Sequence, residues 1–397
     1  MRVLFVRQEG LAGRTSTAIW QRLNSISTAC DASIVTAGSI PANLTKLKVL
    51  QVNREPQQQD SGPLRQFYRR AAFAVKVCTN VRRLTRNGRR PDWIYTFHNY
   101  DLVIGMMLRV AGYRWAVDVL DPPDLLLEDV PAAYRQRRLL KVALLRLFVL
   151  LARKAIRQAD LVIVSAPDQD SGFAALLKDE YRVSAERLVA LPNGVDPELI
   201  LQKPIAEPHC GKPLRTLYVG TVGKQRGTFF LLDVINEVRH RAPVSLTIVG
   251  PAEGEAGTAL ASRISELHLG ETVHWVGQLS HSEVIEQVDL CDVGLYPFPN
   301  AGVLDGVIPI KVGEYMARGK PVVASDLTGV RALVTDGTTG FLVPPLALDA
   351  WTAVLLLLSQ DADLRARMGA AGLLKAADFA WPSINAAVVA ALTSAAT

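Results

Sequence analysis

The sequence predicts an α/β protein built on two successive parallel sheets. At 397 residues, 49% apolar and 21% charged, it is globular and too long for a single core of ordinary size. Strand-like apolar runs alternate with helical patterns along the whole chain, as βαβ units require. Those runs are nearly continuous in their apolarity, as strands covered on both faces are.

In the first half the runs are RVLFV (2–6), DASIVTAG (31–38), DWIYTF (92–97), RWAVDVL (114–120) and DLVIVSA (160–166). In the second they are RTLYVGTV (215–222), VSLTIVG (244–250), TVHWVGQ (272–278), VGLYPF (293–298), PVVASD (321–326) and GFLVPP (340–345). Two Rossmann-like sheets are the simplest reading. The segment 199–214 (LILQKPIAEPHCGKPL) has a linker's Pro, Gly and polar residues and divides the chain into 1–200 and 201–380. The start, MRVLFVRQEG, reads as a first strand rather than a secretory signal. Four scattered cysteines without a C-x-x-C pair signal neither a disulfide framework nor zinc and fit a reducing compartment.

Charge is uneven. Residues 1–200 hold 29 Lys plus Arg against 19 Asp plus Glu, net +10; the remainder holds 15 against 19, net −4, and the two give the total of +6. The excess concentrates in two helical stretches. Residues 64–90 carry nine basic and no acidic side chains, and 131–158 carry eight and none. Lys141 and Arg146 interrupt the apolar part of the second, which is too short to span a bilayer. Basic amphipathic helices suit an anionic membrane surface; core helices with solvated arginines satisfy the same pattern. Nucleic acid would also explain the charge, but no base-reading module occurs.

The segment GVLDGVIPIKVGEYMARGKPVVAS (302–325) carries the most chemistry. Pro309 suits a first helical position, and Gly319 with Pro321 marks the end, giving a helix of about ten residues. Lys311 then lies in the first turn and Glu314 three residues on, both on one face. Free N–H groups, a positive dipole end and an ammonium together suit a diphosphate, and the carboxylate suits a ribose diol. An exposed Lys–Glu pair on an ordinary helix fits the spacing as well. YVGTVGKQRG (218–227) adds a strand running into a glycine turn, with Gly220, Lys224 and Arg226 at the strand's carboxyl end, where open α/β sheets bind ligands. QEGLAGRT (8–15), containing Gly13, is a second glycine loop that fits either a plain turn or an approach to donor or acceptor. His98 and Asn99 follow a strand and suit either an acceptor contact or a loop hydrogen bond. His274 falls within a strand, at a core or edge position.

In order, GTVGKQRG, VHWVGQLSHSEV, CDVGLYPF, IPIKVGEYMARGKPVVAS and DGTTGFLVPP resemble the nucleotide-binding half of group-1 glycosyltransferases of the GT-B fold, and LPNGVD (191–196) is similar to the segment closing their first domain. The resemblance is strong over 191–345 and looser before. It implies two facing Rossmann-like domains with an interdomain cleft, the acceptor in the first and the nucleotide-sugar donor in the second. It also implies a crossover helix, here 381–397, returning to the first domain. Lys224 and Arg226 match the family's basic turn, although Thr221 stands where an Arg is common. Lys311 and Glu314 match the phosphate and ribose contacts, Gln278 and Leu279 the turn holding the base, and Tyr296–Phe298 a loop under the donor.

Two departures separate the chain from retaining members. The partner of Glu314 eight positions earlier is Gly306, with only Asp305 adjoining, and Leu120 stands where a His is frequent. The D-V-L-D run with Asp118 and Asp121 is more similar to membrane-associated β-glucuronosyltransferases of xanthan-type synthesis, which implies Asp121 as the base; a helix-cap or turn aspartate fits Asp121 as well. Asp118 reads as a structural residue, and the missing Glu and His point to an inverted product. The expectation is a hexosyltransferase at the inner face of the cell membrane, independent of metal and cofactor, acting on a lipid-linked or polysaccharide-precursor acceptor. A nucleotide-sugar 2-epimerase and an inactive assembly scaffold are the alternatives.

Overall fold

A computed structural model describes residues 1–7, 17–36, 46–52, 63–97, 101–120, 123, 139–201, 213–252, 254–299 and 305–395. The chain divides into two compact units, Met1–Pro192 with Trp381–Thr397, and Asn193–Ala380.

The first unit holds a seven-stranded parallel sheet: β1 (Arg2–Arg7), β2 (Asp31–Thr36), β3 (Lys48–Val52), β4 (Trp93–Phe97), β5 (Arg114–Val119), β6 (Leu161–Ser165) and β7 (Leu188–Leu191), in the order β3-β2-β1-β4-β5-β6-β7. All five residues of β4 and of β6 are buried, which explains why these strands read as unbroken apolar runs. Its helices are α1 (Thr17–Ala29), α2 (Pro63–Arg86), α3 (Asp101–Val110), α4 (Leu139–Gln158) and α5 (Gly172–Asp179). Gly105 in α3 lies against Trp115 of β5, where an added Cβ would come within 2.2 Å of the indole.

The second unit holds a six-stranded parallel sheet: β8 (Leu214–Val219), β9 (Val244–Val249), β10 (Val273–Gly277), β11 (Val293–Tyr296), β12 (Val322–Ser325) and β13 (Gly340–Val343), in the order β10-β9-β8-β11-β12-β13. Its helices are α6 (Thr228–Arg239), α7 (Ala256–Glu266), α8 (His281–Leu290), α9 (Ile310–Ala317), α10 (Thr328–Leu333), α11 (Leu348–Gln360) and α12 (Ala362–Asp378). Apolar clusters cover both sheet faces, one built on Leu231, Ile235 and Trp351, the other on Val312, Tyr315 and Met316. The last helix, α13 (Trp381–Ser394), packs on α1 in the first unit.

Three expectations shift. Strands β3 and β7 were not foreseen, because KVLQV and LVAL are only five and four residues long. The division falls after Pro192, not after residue 200. The stretch from Asn193 is fastened to the second unit, with the Asn193 side chain donating to the Ile308 carbonyl at 2.8 Å, the Val195 N–H to Phe379 and the Leu201 N–H to Ala317. Pro309 is the N-cap of α9 and not its first helical residue, so the helix has eight residues. Among the described residues no helix is long and apolar enough to cross a membrane.

Candidate functional site

The strand order of the second unit reverses between β8 and β11, the topological switch point at which doubly wound sheets open a crevice beyond their carboxyl ends. Three predicted residues, Gly220, Arg226 and Lys311, meet there. Gly220 follows β8 directly with φ +155°; a Cβ at this position would lie 2.7 Å from Lys311 Nζ and 2.8 Å from the Tyr218 hydroxyl. Only a glycine leaves that space open.

Helix α9 reaches this point because Tyr315, fully buried, lies on Gly294 of β11, where an added Cβ would stand 2.3 Å from the ring. Its hydroxyl accepts the Val219 N–H at 3.0 Å, tying the helix to the last residue of β8. The first turn of α9 is thereby set over the strand ends, with Lys311 in it.

Lys311 is half-buried in an aromatic surround, its Nζ 6.0 Å from the ring centroids of Tyr218 and Tyr296 and 5.7 Å from that of Phe298. Tyr296 and Phe298 stack at 4.3 Å, and the Arg226 guanidinium stands 5.3 Å from the Phe298 centroid. Burial, helped by the like charge of Arg226 and opposed by Glu314, lowers the Lys311 pKa to about 8. Among the described residues Lys311 has neither a hydrogen bond nor an ion pair.

The basic turn is a single 3-10 turn, Lys224–Arg226, closed by Thr228, whose hydroxyl accepts from the Gly223 N–H at 3.0 Å. Gly227 ends it at φ +74°, where a Cβ would meet the Pro297 carbonyl at 2.0 Å. Lys224 is exposed and Arg226 half-buried.

Glu314, one turn beyond Lys311, is 8% exposed, and its Oε1 accepts a 2.8 Å hydrogen bond from His281 Nε2. That hydrogen bond raises the His281 pKa, with burial opposing and the charges of Glu314 and Asp196 assisting. His281 was missed at the sequence level. The signal for it was the Ser280–Glu283 capping box, which starts α8 at His281 and so aims this ring from a defined helix end. Gln278 is exposed and Leu279 half-buried, both between β10 and that cap.

Asp305 lies apart from this group, accepting the Thr328 N–H at 3.2 Å at the start of α10. His274 is exposed on the edge strand β10. Asp118 is 1% exposed, its Oδ2 accepting from Arg22 Nε at 3.0 Å and from the Tyr95 hydroxyl at 2.9 Å. Asp121, Gly13, His98 and Asn99 lie outside the described residues. No group of three or more His, Cys, Asp or Glu side chains suited to a metal occurs among the described residues.

Residues 203–374 match the family described as Glycosyl transferases group 1. The chain is 25% identical over 313 residues to a D-inositol 3-phosphate glycosyltransferase of Stackebrandtia nassauensis, covering 73% of this chain and 66% of that protein. It is 30% identical over 184 residues to the amylovoran biosynthesis glycosyltransferase AmsK of Erwinia amylovora, covering 45% and 44%. Each alignment thus spans less than two thirds of the relative. Among solved structures, Anabaena HepE in complex with UDP-glucose superposes with a TM-score of 0.68 over 99% of this chain and 100% of that one, at 21% identity. The doubly wound second unit, with its cations at the switch point, is therefore a group-1 glycosyltransferase domain, and the chain carrying it has the GT-B fold.

Proposed function

We propose that this chain transfers a sugar from a nucleoside-diphosphate sugar to a lipid-linked or polysaccharide-precursor saccharide. The observation that carries the reading is Lys311, an ammonium in the first turn of α9 at the switch point, with no ion-pair partner among the described residues. A diphosphate beside it meets that charge, the Arg226 guanidinium and the free N–H groups of the helix start. Glu314 then accepts from the ribose diol, and Gln278 and Leu279 border the base. The same cations stabilise the charge that grows on the departing diphosphate. They are the chain's own means of doing so, and the reading is metal-independent transfer that survives EDTA.

Asp121 is the proposed base. It follows β5 closely and precedes Pro122 and Pro123, which restrict its backbone. A positioned base contributes about 10²–10⁴-fold, so Asp121→Asn loses transfer at that scale and keeps donor binding; wild-type turnover in this variant would move the base elsewhere. The proposed inverted linkage is read by NMR of the product.

The membrane contact belongs to the first unit on this reading. Helices α3 and α4 pack together and expose Val103, Met107 and Val110 on one and Leu144, Leu147, Leu150 and Leu151 on the other, with Arg146, Lys154 and Arg157 exposed on α4. Apolar side chains flanked by cations suit an anionic bilayer surface. Leu147→Glu combined with Leu151→Glu abolishes co-sedimentation with phosphatidylglycerol vesicles if that face docks.

A thermal-shift series with UDP-, GDP- and dTDP-sugars, followed by nucleotide release, tests the main reading. Stabilisation by one series and acceptor-dependent release are expected. No shift with any nucleotide overturns it.

A further inference from the structure

We infer that His281 is a positioning residue for the donor, holding the Glu314 carboxylate in the orientation that receives a ribose 2′,3′-diol and so making the site selective for ribonucleotides over 2′-deoxyribonucleotides. The inference rests on the nucleotide reading of the site and adds a residue that reading does not use.

Two observations support it. Glu314 is 8% exposed, and a carboxylate so deeply placed is costly without a donor. Among the described residues His281 is its hydrogen-bond partner, at 2.8 Å, and no arginine or lysine pairs with it. The backbone that carries the ring is fixed. His281 opens α8, whose start is locked by the reciprocal Ser280–Glu283 capping box, and it stands two residues after Leu279. One rigid helix end therefore controls both the turn bordering the base and the orientation of the carboxylate.

The chemistry follows from counting acceptor sites. A carboxylate offers about four lone-pair directions. Nε2 of His281 occupies one on Oε1, which stops the group rotating and leaves Oε2 and the outer side of Oε1 for two adjacent hydroxyls. Freed from His281, the carboxylate turns, and a diol no longer finds both acceptors at once. A 2′-deoxyribose, which needs only one, loses less.

The test uses the full chain, with UDP and GDP each measured beside its 2′-deoxy analogue by calorimetry. The wild type binds one ribonucleotide at least about tenfold more tightly than its deoxy form, a hydrogen bond to a charged group being worth roughly that or more. His281→Ala loses about tenfold in ribonucleotide affinity and brings the preference within about threefold. His281→Gln, whose amide also donates, restores most of both, which a merely structural histidine would not require of its replacement. Melting curves of both variants verify the fold. Wild-type binding with an unchanged ribo/deoxy ratio in a folded His281→Ala overturns this inference and leaves the nucleotide reading intact. Absence of nucleotide binding by the wild type overturns both.

Discussion

The two units have the same kind of sheet, each wound outward from a switch point, yet each treats a desolvated cation differently. In the first, Arg22 is 3% exposed and paired within the protein: its Nε donates to Asp118, itself bonded by Tyr95, and its Nη1 donates to Asn385 Oδ1 at 2.5 Å. In the second, Lys311 stands among three aromatic rings without an ion pair among the described residues, and its pKa falls to about 8. A buried charge whose partners are all protein holds elements together. A charge without an ion pair is the one on which the proposed donor site rests.

Breaking the first arrangement has the largest effect. Arg22→Met leaves Asp118 buried without its cation, at about 3–5 kcal/mol, and lowers the melting temperature by roughly 10 °C; calorimetry also shows nucleotide affinity at the second unit unchanged. Lys311→Met does the opposite. It weakens UDP or GDP binding by about 100-fold and raises the melting temperature at pH 7, because a desolvated charge is removed. Burial depresses this lysine, so the cost of charging it is fully present below about pH 8 and disappears toward its unfolded value of about 10.4. The stabilisation by Met therefore shrinks over that interval. Unchanged stability in Arg22→Met together with lost stability in Lys311→Met would erase the contrast.

Smaller effects sharpen it. In the wild type, nucleoside diphosphate affinity falls on the order of tenfold between pH 7.5 and 9.5 as Lys311 loses its proton, since the bound phosphates favour the charged form; Lys311→Met shows no such slope. Tyr315→Phe removes the acceptor of the Val219 N–H and costs about 1 kcal/mol, with a few-fold loss in nucleotide affinity as α9 loosens over the strand ends.

Much of this was legible in the sequence because continuous apolar runs mark doubly covered strands. All six strands of the second unit were found, each extended by one to three residues past its real end, as in VGLYPF for β11, which stops at Tyr296. Gly220, Gln278 and Phe298 are among those extra residues, and these three border the site. Glycine and phenylalanine occur within strands as well as beyond them, and Gln278 closes an apolar run, so local pattern did not show where each strand stops. The pairing of Lys311 with Glu314 followed from helical spacing. The Glu314–His281 contact did not, because 33 residues separate them and only packing brings the two helices together. Tyr296 and Phe298 were placed under the donor by resemblance, but their closeness to the Lys311 ammonium, with Tyr218 of β8 on it as well, came only from packing.

The docking of α13 has a consequence for synthesis. Asn385 takes Arg22 Nη1 on its Oδ1 and donates from Nδ2 to Gln21 and Ser25, while the Leu392 carbonyl accepts from the Trp93 indole. Emerging from the ribosome, residues 1–192 stand with α1 uncovered and Arg22 incompletely paired until nearly two hundred further residues have been translated. The interposed unit has every one of its strands in hand before then. Vectorial folding therefore completes the second unit first and closes the earlier-made unit last.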